Sequence, residues 1–209
     1  MAEMPPHFFA RIDESPDELF YSTPRFVQHI DEAAIAAVGA LYTELLPPDG
    51  EILDLQSSWV SHLPETYRAR RVVGLGMNAE ELAANPRLAD WVVHNLNTNP
   101  TLPYPDASFD GCINTVSIQY LQHPVAVFSE VRRVLRPGAP FIVTFSNRCF
   151  PTKAVAAWRA LDDTGHVQLV AYYFAESGGW EEITARNCTP ATRDRTDPLY
   201  AVYAWKARP

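Results

Sequence analysis

A carboxylate stands inside a short apolar run: Ile52, Leu53 and Leu55 surround Asp54, and Gln56, Ser57 and Ser58 end the run. A run of this length, bounded by polar turn residues, reads as a strand buried on both faces, which is the habit of a parallel sheet. In open parallel sheets ligands bind beyond the carboxyl ends of the strands, where strand order reverses. The turn after Leu55 is therefore the first place to look for a site. A carboxylate near it suits a cationic or hydroxylated ligand, or is satisfied by backbone donors as a buried acid.

The rest of the chain repeats the pattern. Apolar residues at helical spacing from Ile30 to Leu45, with Asp31 as N-cap, predict a helix over 31–46 that stops at Pro47 and Pro48. Residues 72–75 predict a second strand. Asn78 then caps a helix with Glu80 and Glu81 in its first turn, where the helix dipole favours acids. Residues 91–93 and 109–116 predict a third and a fourth strand, separated by a proline-rich loop over 98–108. Pro124 opens a helix whose apolar face is Val127, Phe128, Val131, Val134 and Leu135, and Pro137 and Gly138 stop it. Residues 141–145 predict a fifth strand, 152–161 and 167–177 two helices, and 181–188 and 199–206 two late strands. Residues 59–67 read as a short helix or the start of a loop. Strands alternating with helices imply a parallel sheet covered on both faces, in a single domain over 31–209. Residues 1–30, rich in proline, phenylalanine and histidine, form no regular element. They read as an arm packed on that domain or as a lid that excludes water from a cleft.

Composition narrows the function classes. The 209 residues carry 17 basic and 25 acidic side chains, a net charge of −8, so the chain has no overall basic field to bind nucleic acid or anionic membrane. Cys112, Cys149 and Cys188 are odd in number and far apart, which predicts reduced thiols and a cytoplasmic protein. No apolar run reaches membrane-spanning length. The histidines lack ligand spacing and cysteine partners, so no metal site is predicted. Exposed aromatics on the arm are as compatible with a homodimer contact as with a lid.

Four stretches together resemble the class I S-adenosylmethionine-dependent methyltransferases, in particular the small type-11 branch. They are residues 51–55 (EILDL), 73–82 (VGLGMNAEEL), 102–110 (LPYPDASFD) and 130–138 (EVRRVLRPG). The resemblance covers about residues 51–147. It implies a Rossmann-like α/β fold: a mostly parallel seven-stranded sheet, helices on both faces, and the two late strands as an antiparallel edge. It also implies S-adenosylmethionine as cofactor and a small-molecule acceptor.

The resemblance assigns roles to residues. Asp54 would organise the first loop and face the methionine ammonium. Ser57 and Ser58 would bind the methionine carboxylate or serve as turn residues. Met77 would pack on the adenine, and Asn78 would reach a ribose hydroxyl or cap its helix. Asn95, Leu96 and Asn97 would read the adenine edge, and Thr115, Val116 and Ser117 would lie near the methionine amine. Two departures stand out. The family's first loop carries glycines, whereas residues 56–60 here contain none, and Trp59 either fills the cofactor's space or walls it. The family's ribose-binding acid after the second strand is replaced by Gly76. Methyl transfer from a sulfonium is a direct displacement that mainly requires alignment. A base is needed only where the acceptor must lose a proton. His123 and His62 are the candidates for that base, with Tyr120 as a polar aromatic contact. The alternative function is a methyltransferase-like protein that binds a ligand or partner without methyl transfer.

Overall fold

The structure is a computed structural model that describes residues 4–191 and 195–208, so the first three residues of the arm lie outside it. Its strands are β1 (Glu51–Ser57), β2 (Arg71–Gly76), β3 (Asp90–Val93), β4 (Gly111–Thr115), β5 (Pro140–Phe145), β6 (Trp180–Asn187) and β7 (Tyr200–Lys206). They form one sheet in the order β3-β2-β1-β4-β5-β7-β6. The pairs among β1 to β5 are parallel, and β7 runs antiparallel to both β5 and β6. The helices are α1 (Asp17–Phe20), α2 (Glu32–Leu45), α3 (Ala79–Ala84), α4 (Pro124–Val134), α5 (Ala156–Ala160) and α6 (Asp163–Ser177). This is the Rossmann-like sheet with an antiparallel edge that the family resemblance implied. Strand order reverses between β1 and β4, so the carboxyl ends of those two strands flank a crevice.

Burial explains why these runs became sheet. One face sets Leu53, Leu55, Val73 and Cys112 against α4 and α6 through Val127, Phe128, Tyr173 and Phe174. The other sets Ile52, Val72, Ile113 and Ile142 against α2 through Ala34, Val38 and Tyr42. Each fully buried aliphatic side chain contributes roughly 1.5–3 kcal/mol. With both faces occupied, a slip of one residue would gain nothing on either side and would set Asp54 among the apolar side chains of the first layer. β7 shows the same double burial: Val202 and Ala204 join the first layer, and Ala201 and Tyr203 the second.

Caps fall where the side-chain chemistry put them. Asp31 accepts from the Ala34 amide at 2.8 Å, and Asn78 accepts from the Glu80 and Glu81 amides at 2.9 and 3.0 Å. Two expectations need correction. The fourth strand pairs only over Gly111–Thr115, because Phe109 has turned out to bridge Leu135. The helix expected over 152–161 shrinks to α5. The amides of Lys153 and Ala154 bond to the Phe150 carbonyl and that of Val155 to Gln119, which makes a turn there. Of the two readings of residues 59–67, the structure shows the loop.

The arm has more order than its composition suggests, with a short helical turn at Pro6–Phe9 and α1. A buried ion cluster anchors it. The Lys153 ammonium, fully buried, lies 3.2 Å from Asp13 and 3.3 Å from Asp17, and Arg11 pairs with Asp17 at 2.6 Å. Lys153 also donates to the Ser15 carbonyl at 2.7 Å.

Candidate functional site

A cavity of about 440 Å³ opens at the carboxyl ends of β1, β2 and β4, a size typical of small-molecule sites. From β1 and its loop it takes Asp54, Ser57, Ser58, Trp59 and His62; from β2 and the turn into α3, Gly76, Met77 and Asn78. Asn95, Leu96 and Asn97 follow β3, and Thr115, Val116, Ser117 and Tyr120 end β4 and continue beyond it. The structure thus brings every predicted site residue except one to a single cavity. His123 is that exception: it is the exposed residue before α4, outside the lining. Its candidacy as an acceptor-side base is corrected accordingly.

The floor of the cavity is built by backbone. β1 bulges at Gln56, which takes φ 55°, and Ser57 resumes pairing opposite Gly76. Gln56 stands in the left-handed region where glycine is the usual residue. Buried Asn114 of β4 supports it, donating to the Leu55 carbonyl at 3.1 Å and to Gln56 Oε1 at 2.9 Å. The bulge explains Gly76. A Cβ there would lie 2.2 Å from the Ser57 carbonyl oxygen, so no side chain fits, acidic or otherwise. Val116 at φ 46° and His62 at φ 52° are also left-handed. Three strained non-glycine residues on one cavity, at roughly 1–3 kcal/mol each, mark a functional site.

Asp54 is buried at 2% exposure and accepts from Ser57 Oγ at 2.6 Å. Burial pushes its carboxyl up to about 6, against the pull of that hydroxyl. Ser58 Oγ donates to Glu81 at 2.5 Å. Trp59 walls the cavity: its indole N–H donates to the Val27 carbonyl at 3.1 Å, and its ring meets Phe26 edge-on. His62 is pushed down to about 4 by burial, with Nδ1 buried and unbonded among the described residues. The Tyr120 hydroxyl accepts from the Phe150 amide at 2.8 Å, and burial pushes it up to about 12. It therefore positions the loop after β5 and is a poor proton acceptor.

The roof is the arm, and sequence reasoning did not place it there residue by residue. Asn78 Nδ2 donates to the Tyr21 carbonyl at 2.8 Å while its oxygen caps α3. Asn95 donates to Glu18 at 2.7 Å, and Asn97 to Asp17 at 2.9 Å and to the Tyr120 carbonyl at 3.0 Å. Glu81 accepts from the Arg25 amide at 2.7 Å. Asp17, Tyr21, Arg25 and His29 of the arm, with Arg148 and Phe150 after β5, complete the lining. A run of aromatic and basic residues in 20–29 was the available signal, but nothing local says which of them face inward.

A family model for the methyltransferase domain matches residues 56–143. The chain is similar to the class I S-adenosylmethionine-dependent methyltransferases. Among its relatives, the biotin biosynthesis bifunctional protein BioHC of Teredinibacter turnerae is 30% identical over 108 residues, 49% of this chain and 19% of that protein. The malonyl-[acyl-carrier protein] O-methyltransferase of Hahella chejuensis is 28% identical over 134 residues, 61% of this chain and 47% of that protein. The chain thus spans less than half the length of these curated relatives. A solved methyltransferase in complex with the Trm112 methyltransferase activator of Haloferax volcanii superposes with a TM-score of 0.60. That match has 15% identity and covers 85% of this chain and 92% of that one, so it speaks for the fold.

S-adenosylmethionine is the family's cofactor, and the cavity residues fit it. Asp54 offers a buried carboxylate to a cation, Met77 and Leu96 offer apolar walls, and the amides of Asn95 and Asn97 offer neutral donors and acceptors. The unbonded His62 Nδ1 is a buried polar atom left for a partner. What is lacking is an acid at the end of β2. The carboxylates lining that side are instead Glu81 and Asp17, each already held by protein donors. Among the described residues no group of three metal-ligating side chains occurs, and no helix is long and apolar enough to cross a membrane.

Proposed function

We propose that the chain moves a methyl group from S-adenosylmethionine to a small molecule by direct displacement, with residues 1–30 acting as a lid. The observation that carries this reading is the cavity at the switch point of the sheet, which gathers eleven residues that the resemblance assigns to the cofactor. When bound, the cofactor supplies a methyl group already activated by its sulfonium. What remains for the protein is to hold, orient and exclude water. Asp54 would hold the cationic end, Asn97 and the Leu96 backbone the adenine, and Trp59 would close the wall behind them. The arm would exclude water, and its ties to Asn78, Asn95 and Asn97 would couple its closure to an occupied site. That a relative carries the name O-methyltransferase supports an oxygen acceptor. Free, dispersed cysteines support a cytoplasmic setting.

Calorimetric titration with S-adenosylmethionine and with S-adenosylhomocysteine tests the reading. Micromolar binding of either is the expected result. No heat at several temperatures, together with no thermal shift at millimolar ligand, would sink it. A second reading, ligand or partner binding without methyl transfer, draws on the Ser57 carbonyl that fills the space beside Gly76. It predicts the negative outcome of the same titration.

A further inference from the structure

Most of the cavity's charges are already answered from within the protein. Asp17 is neutralised by Arg11 and Lys153, and Glu81 accepts from Ser58 and from the Arg25 amide. Asp54 lies beneath Ser57. The Arg25 guanidinium differs. It donates only to main-chain carbonyls, Phe20 at 2.8 Å and Thr23 at 3.4 Å. Its carbon lies 4.4 Å from the Phe20 ring centroid and 5.5 Å from that of Phe150. Among the described residues no carboxylate pairs with that guanidinium. A cation fixed over aromatic rings keeps its planar fork of donors, and here it borders the same cavity as the cofactor residues.

The basic groups of the same cavity are engaged or weakened: Asp54 accepts from Ser57 Oγ at 2.6 Å, and His94 Nε2 lies 2.8 Å from the Asn99 carbonyl. Burial depresses both His29 and His62, which weakens them as proton acceptors. The Tyr120 hydroxyl is committed to Phe150, and His123 stands outside. Such a site suits an acceptor that arrives without a proton to lose.

We propose that the methyl acceptor is a carboxylate with an apolar body, its anion seated on the Arg25 guanidinium and its body against the Tyr21 and Phe150 rings. This rests on the methyltransferase reading above. One carboxylate oxygen donates a lone pair to the methyl carbon. The O–CH₃ bond forms as the S–CH₃ bond breaks, and the pair from the broken bond stays on sulfur. The products are a neutral methyl ester and a thioether, and no proton moves. Loss of the negative charge weakens the hold of Arg25 on the product and favours release.

The test uses the full chain, S-adenosylmethionine, and saturated fatty acids from four to sixteen carbons beside the matching alcohols and amines. Methyl esters of the acids are expected, and no methylated alcohol or amine. Arg25→Met should raise KM for the acid by about tenfold with little change in kcat, the size of one charge-assisted contact, and Arg25→Lys should recover part of it. Decanoate binding without cofactor, followed by calorimetry, should weaken by the same factor in Arg25→Met. Equal affinity for decanoate in all three proteins would overturn the proposal. So would methylation of the alcohols or amines in preference, or cofactor binding with no transfer to any acid. Failure of S-adenosylmethionine to bind the parent protein is a separate result, which removes the methyltransferase reading itself.

Discussion

The floor and the roof of the cavity are held by different physics. The floor, β1 and β2 with the bulge at Gln56, is held by ladder hydrogen bonds and by two apolar layers that leave no slack. The roof is held by side-chain contacts: Asn78, Asn95 and Asn97 to the arm, Glu81 to the Arg25 amide, and an ion cluster around Lys153. A close-packed floor tolerates no added atom. Individual polar ties are worth about 1 kcal/mol or less each and can open one at a time. The floor can therefore set the geometry of a ligand while the roof admits it.

Substitutions can break this contrast or sharpen it. Gly76→Asp would restore the acid usual at this position in the family, and it should be the most damaging change. Its Cβ would meet the Ser57 carbonyl at 2.2 Å, so a loss of roughly 4 kcal/mol or more is expected, read as the midpoint of thermal or urea unfolding. A well-folded Gly76→Asp protein would show the floor to be pliable.

Next comes Asp17→Asn, which leaves the buried Lys153 and Arg11 with one fewer countercharge. It should cost about 3 kcal/mol. Limited proteolysis should then cut within residues 4–30 well before the sheet domain. Simultaneous cleavage of both regions would mean that arm and domain unfold as one.

The pH dependence of Asp54 probes the floor from another side. Its folded pKa, about 6, lies above the ordinary carboxylate value. The folded state therefore holds the proton more tightly than the unfolded chain does. Stability from this group is fully present below about pH 4 and is lost as pH rises to about 6, for a total on the order of 3 kcal/mol. Asp54→Asn removes that slope. The parent's stability minus the variant's should fall between pH 4 and 7 and stay flat above; a difference independent of pH would mean the carboxyl is not desolvated.

The smallest effect belongs to Asn95→Ala, which removes one exposed tie to Glu18. About 0.5 kcal/mol is expected, with faster proteolysis of the arm and an unchanged unfolding midpoint for the domain within error. A large drop would show that the roof is not held piecemeal.

Much of this architecture was legible along the chain because its determinants are local. Apolar runs announce buried strands, and Asp31, Asn78 and Pro124 announce helix starts through chemistry that acts within one turn. The cofactor end was legible too, since the positions that follow each parallel strand must converge at one edge of the sheet. The expected helix over 152–161 is shortened to α5 because the amides of Lys153 and Ala154 bond to the Phe150 carbonyl and that of Val155 to the distant Gln119. Likewise His123 looked like a site residue by its distance from β4, yet the start of α4 turns it outward.

By itself, then, the sequence determined most of the strand and helix runs and the edge where the cavity forms, because periodicity and capping depend on near neighbours. Only the tertiary structure decided why Gly76 must be glycine, which arm residues roof the cavity, and that the guanidinium of Arg25 is left without a carboxylate partner. Those facts depend on where the Ser57 carbonyl, α1 and the loop after β5 come to rest, and such long-range contacts leave no periodic trace in the chain.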